Sequence, residues 1–231
     1  MPPVFFVMKY LEVIKGKFKS RPNRFIAIVE IDGKNEICHV KNTGRCKELL
    51  TENAVVYLSK SDNPKRKTKY DLIAVEKGNL LINMDSQVVN NVCAEYIPNM
   101  FKDIVLIKPE CKYENSRFDF FVETKTEKIF IECKGVTLEK DGVALFPDAP
   151  TERGCKHLKE LQNAVNNGYT AYVVFVIQMK GVIRFEPNVK THREFAEELK
   201  RAKENGVNIL AFDCAVSENE IKIDKEIDIK L

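Results

Sequence analysis

Several features that identify particular classes of protein are missing from this sequence. Its seven cysteines are odd in number and include no C-x-x-C pair, which argues against a zinc ribbon and a disulfide scaffold. The longest apolar run, at residues 169–177, is much shorter than the segment of about 20 residues that spans a bilayer. The first residues have neither a basic stretch before their short apolar run nor a small-residue cleavage site, unlike a signal peptide. We therefore expect a cytoplasmic protein with free thiols and no membrane partner.

A strong charge of one sign is also absent. The 37 Lys and Arg residues against 34 Asp and Glu residues give a net charge of +3, so the net charge alone does not indicate a nucleic-acid partner. Hydrophobic residues make up 44% and charged residues 31% of the 231 residues, a balance that excludes a disordered tail and a membrane bundle. The length gives room for one large domain or two small ones. A nucleic-acid partner must therefore be argued from local clusters of charge.

The first part of the chain consists of short β-type runs separated by turns. Asp32-Gly33 predicts a hairpin, and residues 42–44 and 77–79 predict further turns. The runs are rich in Val, Ile, Phe, Tyr and Leu, and they lie at residues 4–14, 24–31, 36–40, 54–59, 70–76 and 80–84. With one short helix near 45–50, these strands favour an OB-fold-like β-barrel over residues 1–85. An SH3-like barrel or a plain sheet stays open, because a count of strands does not separate them.

After residue 85 the hydrophobic period changes to that of a helix. We predict a first helix from residue 88, with Asp85 and Ser86 as its cap and Pro98 as its end. The later elements are predicted strands at 117–124, 128–134 and 143–146, a helix at 151–166, a strand at 169–178, a helix at 191–204 and a strand at 207–212. This is the αβββαβ order of a PD-(D/E)xK nuclease-like domain, which we assign to residues 86–231.

Two carboxylates and a lysine form the main catalytic candidate. Glu132 and Lys134 end an apolar strand and share one of its faces, because side chains alternate along a strand. Asp119 lies on the preceding strand, which a short turn makes the antiparallel neighbour. Two close carboxylates repel each other unless a cation lies between them, and Mg²⁺ or Mn²⁺ prefers such oxygen ligands. The alternative interpretation is a cross-strand salt bridge at a sheet edge.

A second group of candidates lies on the predicted helices. Arg153 and Lys156 lie near a helix N-terminus, where phosphate binds readily, and Lys156 is a further catalytic candidate. Lys156 is also spaced to pair with Glu152 on a solvated helix face. We interpret His157 as surface decoration rather than a catalytic base. Glu95, on the helix before the hairpin, is a candidate third metal carboxylate, although an exposed helix glutamate is the commoner case.

Basic residues alternate with aromatic ones in two segments of the predicted barrel. Residues 15–25 contain Arg21, Asn23 and Arg24 between Phe18 and Phe25. Residues 64–70 form a second basic loop that includes Arg66 and Lys67 and ends at Tyr70. On an OB-like barrel, such cations bind phosphates and such rings stack on bases. A solvated charged face is the ordinary alternative.

Six motifs along the chain resemble one known family. They lie at residues 18–25, 39–45, 66–70, 116–120, 132–138 and 145–161. In this order they are similar to the sugar fermentation stimulation protein A (SfsA) family. The resemblance implies an N-terminal OB-fold-like domain, a C-terminal nuclease-like domain and DNA binding without marked sequence preference. It also implies a link to the regulation of sugar metabolism, especially of maltose.

The resemblance completes the set of predicted site residues. Asp119, Glu132 and Lys134 fall in its nuclease-like signature. The family motifs add His39, Asn42, Arg45 and Arg117 to the basic segments. The nucleic-acid-binding candidates are therefore Arg21, Asn23, Arg24, His39, Asn42, Arg45, Arg66, Lys67, Arg117 and Arg153.

Two functions from different classes are compatible with these residues. The first is a nuclease that uses Mg²⁺ or Mn²⁺, needs no organic cofactor and acts on single- or double-stranded DNA. The alternative is a non-catalytic DNA-binding regulator of sugar metabolism that keeps a nuclease-like scaffold. The carboxylates favour the enzyme, because two anions beside phosphates would repel DNA unless a metal bridges them. RNA and a sugar phosphate stay open as ligands, and a homodimer stays open as the assembly.

Overall fold

The computed structural model describes residues 8–42 and 44–231, and in that part the chain forms three sheets and three helices. The helices are α1 (Val88–Met100), α2 (Glu152–Asn166) and α3 (Arg193–Glu204). The strands are β1 (Val13–Asn23), β2 (Ile26–Ile31), β3 (Lys34–Val40), β4 (Val55–Lys60), β5 (Tyr70–Lys77), β6 (Leu80–Asn83), β7 (Ile104–Tyr113), β8 (Ser116–Thr124), β9 (Lys128–Val136), β10 (Leu138–Lys140), β11 (Val143–Phe146), β12 (Thr170–Ile177), β13 (Arg184–Pro187), β14 (Asn208–Val216), β15 (Ile221–Glu226) and β16 (Asp228–Ile229). Among these helices, none is long and apolar enough to cross a membrane.

Strands β1 to β5 close into a barrel. The sheet order is β3-β2-β1-β4-β5-β6, and a parallel pairing of β3 with β5 joins the two ends of the five-stranded part. Asp32 and Gly33 both have positive φ, 49° and 76°, and connect β2 to β3 as the predicted hairpin turn. Inward side chains such as Val29, Cys38 and Leu72 are fully buried and fill the barrel.

The start of the barrel differs from the prediction. Part of the predicted strand 4–14 lies outside the described residues, and β1 begins only at Val13. The first basic segment, residues 15–25, was predicted as a loop but is mostly strand. Its Phe18 is buried inside the barrel. An irregularity between Phe18 and Ser20 breaks the alternation that would have indicated the strand. The short helix predicted at 45–50 is a series of turns in which Cys46 has a φ of 45°, outside the helical region.

The second six-stranded sheet carries helices on both faces. Its order is β15-β14-β12-β9-β8-β7, with β9, β12 and β14 parallel to one another. Helix α1 packs on one face, where Val92 joins Ile129 and Ile131 in one apolar cluster. Helices α2 and α3 cover the other face, where Leu158 joins Phe130 in a second cluster. Apolar cover on both faces explains the near-continuous apolar sequence of β12.

The predicted αβββαβ order is present, but its three consecutive sheet strands are β7, β8 and β9. Strand β7 was not predicted, because it is an edge strand whose residues are mostly exposed and include Pro109. The predicted strand at 143–146 is β11, which belongs to a separate sheet of order β10-β11-β13-β16. Pro98 does not end α1, which continues to Met100. A proline this close to the helix end disrupts only the last turn.

A buried polar network joins the barrel to the second part of the chain. The Gln178 side chain donates to Asn83 Oδ1 and to the Asp85 carbonyl, both at 3.0 Å. Lys41 of the barrel donates to Asp85 at 3.0 Å and lies 3.2 Å from Asp71. Because such buried hydrogen bonds are directional, they orient the barrel relative to the second six-stranded sheet.

Candidate active site

The β8–β9 hairpin positions Asp119 beside strand β9. Regular pairing of the two strands ends at Phe120 and Ile131. Beyond it, the backbone N–H of Cys133 donates to Asp119 Oδ2 at 2.7 Å instead of to a backbone carbonyl. Asn90 of α1 donates to the other carboxylate oxygen at 2.8 Å. Asp119 is therefore held between β9 and α1.

Glu132 is almost completely buried and only half satisfied. Its Oε1 accepts hydrogen bonds from Lys134 Nζ, at 2.5 Å, and from His157 Nδ1 of helix α2. Its Oε2 is buried and has no hydrogen-bond partner among the described residues. A carboxylate oxygen in this state costs about 1–3 kcal/mol or more, and it calls for a water or a cation.

The pKa values of the two carboxylates are shifted in opposite directions. Burial raises the pKa of Asp119, and the charge of Glu132 raises it further. Burial also opposes ionisation of Glu132, but the hydrogen bond from His157 and the charge of Lys134 outweigh it and lower the pKa of Glu132. The charged form is thus favoured at Glu132 and disfavoured at Asp119. A cation between them would favour the charged form of both.

His157 belongs to this site, so its interpretation as an exposed surface residue without a catalytic role is wrong. Its side chain is buried against Glu132. Arg153 Nε donates to His157 Nε2 at 3.3 Å, which leaves the ring proton on Nδ1 to be donated to Glu132. The helical periodicity of the sequence could have predicted that His157 is buried. Gly154, His157 and Leu161 recur at intervals of three and four residues and share the buried face of α2.

Lys156 and Glu95 do not join the carboxylates, which corrects two predicted site residues. Lys156 lies on the exposed side of α2 and donates to the Asn115 carbonyl at 2.7 Å. The Glu95 carboxylate accepts from the backbone of Met8 and lies near Glu220. Five residues separate Glu95 from Asn90, which places them about 140° apart around the helix axis. Helix α1 therefore presents an amide, not a carboxylate, to Asp119.

Most of the barrel residues that were predicted to bind nucleic acid form hydrogen bonds within the protein. Arg21 donates to the backbone carbonyls of Arg24, Asn42, Gly44 and Arg45. Asn42 Oδ1 accepts from the Gly44 N–H, and Asn23 Oδ1 accepts from the Phe25 N–H. Arg66 forms a bidentate pair with Asp71, which His39 also contacts at 3.2 Å. These five residues therefore help to shape the barrel and its loops, because each of them has at least one hydrogen-bond partner within the protein.

The other predicted cations are exposed. Arg24, Arg45 and Lys67 lie on the barrel surface, whereas Arg117 is paired with Glu110 at 3.0 Å. The Arg24 guanidinium lies over the ring of Phe25 at 4.8 Å, and Phe25 is 44% exposed. A cation stacked on an exposed ring can contact both a phosphate and a base.

A second acidic cluster lies where helices α2 and α3 begin. Glu152, His192 and Glu194 are close enough together to hold a metal ion. However, the Thr151 N–H donates to His192 Nδ1 at 3.2 Å, so a neutral ring carries its proton on Nε2, toward Glu152. This leaves no ring nitrogen lone pair for a metal. The pair Asp119 and Glu132 is the better candidate.

Comparison with known proteins identifies one family for both parts of the chain. One family model, described as the SfsA N-terminal OB domain, matches residues 20–84. A second, described as the sugar fermentation stimulation protein RE domain, matches residues 83–220. A sugar fermentation stimulation protein homolog of Clostridium beijerinckii is 65% identical over 226 residues, 97% of this chain and 100% of the relative. The homolog of Ruminiclostridium cellulolyticum is 60% identical over 226 residues, with the same coverage of 97% and 100%.

A solved structure extends the similarity to three dimensions. It is described as Pyrococcus furiosus SfsA in complex with Ca²⁺ and matches with a TM-score of 0.87 and 27% identity, covering 98% of this chain and 100% of that one. The predicted fold, an OB barrel followed by a nuclease-like domain, is thereby confirmed. The chain belongs to the sugar fermentation stimulation protein (SfsA) family.

Proposed function

We propose that this protein is a metal-dependent phosphodiesterase that acts on DNA without marked sequence preference. One observation carries the proposal: Oε2 of Glu132 is buried next to Asp119 and has no partner among the described residues. Lys134 and His157 both bind the other oxygen, Oε1, so Oε2 is left for a cation. The proposal keeps the predicted division of labour, with DNA binding by residues 1–85 and chemistry by residues 86–231.

The residues present fit a hard divalent cation such as Mg²⁺ or Mn²⁺. Such ions prefer carboxylate oxygens and keep coordination positions for water and phosphate. Asp119 and Glu132 would hold the ion. When bound, it would neutralise phosphodiester charge and lower the pKa of a bound water. The description of the related Pyrococcus furiosus protein as a Ca²⁺ complex supports an oxygen-ligated cation in this family.

The side chains around the carboxylates have separate roles in this proposal. The Lys134 ammonium is tied to Glu132 and stabilises negative charge that develops on a phosphate. His157 donates its Nδ1 proton to Glu132 and so holds that carboxylate in place. Arg153 is exposed next to His157, where its remaining N–H groups can bind a DNA phosphate.

The exposed side of the barrel provides the proposed DNA grip. Arg24, Arg45 and Lys67 supply positive charge, and Phe25 supplies a stacking surface. Contacts of this kind read phosphates and ring faces rather than base edges, so they tolerate any sequence.

One observation favours the alternative, a non-catalytic DNA-binding regulator of sugar metabolism. Both oxygens of Asp119 already accept hydrogen bonds, and Lys134 is paired with Glu132. A regulator could use such a site as a rigid support only.

A paired experiment separates the two functions. DNA affinity is measured in Ca²⁺, which commonly supports binding without cleavage, and single-turnover cleavage is measured in Mg²⁺ or Mn²⁺. Lys134→Ala should reduce the cleavage rate by about 10²-fold or more with little change in affinity. Lys128→Ala, an exposed lysine on the same strand, is the control and should change neither. If the wild type binds DNA but cleaves no single-stranded, double-stranded or branched substrate, the regulator is the correct function.

A further inference from the structure

A partly open cavity of about 160 Å³ lies at the seam between the barrel and the nuclease-like domain. Asn42 borders it from the barrel, and Asn90 borders it from the first turns of α1. Gly135 of β9 and Asp148, just after β11, border it from the other sides. Gln178, just after β12, completes a wall that five separate parts of the chain form.

The size of the cavity suits one small ring. A buried cavity of about 150 Å³ is large enough to bind benzene. The same space would hold about five water molecules, at about 30 Å³ each. A single six-membered ring therefore fits in this space.

The wall combines hydrogen-bonding groups with apolar surface. The amide of Asn90 uses its N–H to bind Asp119, which leaves its carbonyl oxygen as an acceptor. Gln178 likewise uses its N–H groups on Asn83 and Asp85. Asp148 adds a carboxylate, and Leu145 and Phe146 add apolar walls. Acceptors beside apolar side chains can bind an N–H group on the edge of an unpaired base.

Two glycines let these walls approach each other. A Cβ atom on Gly135 would lie 2.7 Å from both Gln178 Oε1 and Val89. A Cβ atom on Gly44 would collide with the carboxylate of Asp148. Side chains at these positions would push the wall residues out of place, so the cavity depends on the absence of both.

The cavity is one side chain away from the carboxylates. Asn90 lines it and also donates to Asp119, and Cys133 lines it while its N–H binds Asp119. An occupant of this cavity would therefore lie close to the backbone of DNA held at the carboxylates.

We propose that this cavity receives one unpaired base of the bound DNA. The inference rests on the proposed function, because it requires a DNA strand at Asp119 and Glu132. It adds a substrate class, namely DNA with a base that is not paired.

The test compares three duplexes of equal length and the matching single strand. One duplex is fully paired, one has a single bulged thymidine, and one has a bulged abasic nucleotide with the same phosphates. Affinity is measured by fluorescence anisotropy in Ca²⁺ at fixed salt. The thymidine bulge should bind about tenfold more tightly than the abasic bulge, as expected for the loss of one base contact.

Two variants assign that ratio to the cavity. Leu145→Trp fills it and should bring the ratio of the two affinities to about one. Val143→Trp is the control, because Val143 lies two residues earlier on β11 and does not line the cavity. Thermal unfolding shows whether Leu145→Trp folds. If it does not, Asp148→Ala is used instead. This variant removes a polar partner without added bulk and should lower the ratio. A general electrostatic effect of Asp148 cancels in the ratio.

Each outcome has one meaning. Equal affinity for the two bulges in the wild type overturns the cavity inference and leaves the proposed function intact. A ratio that survives both Leu145→Trp and Asp148→Ala also overturns it. A failure to bind any of the four DNAs refutes the proposed function itself. Free thymidine that raises the melting temperature of the wild type, with no difference between bulges, would identify a free nucleoside as the occupant and contradict the inference.

Discussion

The barrel and the carboxylate site use their charged residues in opposite ways. In the barrel, one arginine of each basic segment binds within the protein: Arg21 donates to four backbone carbonyls and Arg66 binds Asp71. At the hairpin, one oxygen of Glu132 accepts hydrogen bonds, and the other has no partner in the part of the chain that the structure describes. Charge density therefore did not distinguish binding groups from structural ones. The contacts of each group are more informative, because Arg21 and Arg66 bind acceptors of the protein, whereas Glu132 keeps one oxygen that a ligand can use.

The largest expected effect is on cleavage. Glu132→Gln keeps the shape of the side chain but removes its charge, so we expect the cleavage rate to fall by about 10²- to 10³-fold. Arg24→Ala in the barrel should leave the rate at saturating DNA unchanged. Single-turnover cleavage of a labelled duplex in Mg²⁺ measures both. Equal losses in the two variants would abolish the contrast between the two regions.

The next effect concerns metal binding. A cation that binds only the folded protein raises its free energy of unfolding by about 2.7 kcal/mol when the free cation concentration is about 100 times the Kd. The double variant Asp119→Asn, Glu132→Gln should lose this rise in unfolding free energy in Mn²⁺. Glu152→Gln with Glu194→Gln is the control for the other acidic cluster and should keep it. If the control loses the stabilisation instead, the metal site is at the start of α2 and α3.

A matched pair of arginines tests the interpretation of the barrel. Arg21→Ala removes hydrogen bonds from a charged donor to several loop carbonyls, so we expect a loss of about 2 kcal/mol in unfolding free energy. Arg24→Ala should not destabilise the protein, but it should reduce the salt dependence of duplex binding by about 0.9 in log–log slope. Urea unfolding and a salt titration of affinity measure the two. Identical behaviour of the variants would contradict the division into structural and binding cations.

The smallest effect is the pH dependence of stability in the metal-free protein. The pKa of Asp119 is raised, so its contribution to stability is complete below its ordinary pKa and is lost as the pH rises through the raised value. The pKa of Glu132 is lowered, so its contribution is present above its ordinary pKa and is lost as the pH falls through the lowered value. At pH 7, Glu132→Gln should therefore destabilise the protein more than Asp119→Asn, in which relief of the unfavourable charge offsets the lost hydrogen bond. Urea unfolding with a chelator measures both, and a larger loss in Asp119→Asn would refute this electrostatic picture.

Local sequence patterns determined the features that depend on neighbouring residues. The β8–β9 hairpin followed from two strands separated by a short polar turn, and Thr151 was the predicted start of α2, where it caps the helix. The pairing of Asp119 with strand β9 followed from the same hairpin. These features are predictable because they involve short-range hydrogen bonds and strand alternation.

Only the tertiary structure decided which side chains share the site. Asn90 rather than Glu95 meets Asp119, because the rotation of α1 about its axis is set by packing of Val89, Val92 and Ile97. His157 rather than Lys156 meets Glu132, because α2 buries the opposite side of its first turns. The inward role of Arg21 depends on carbonyls more than 20 residues away. The sequence by itself determined the fold class and the carboxylate hairpin, whereas burial and long-range packing, which act between distant residues, decided the partners of each charge.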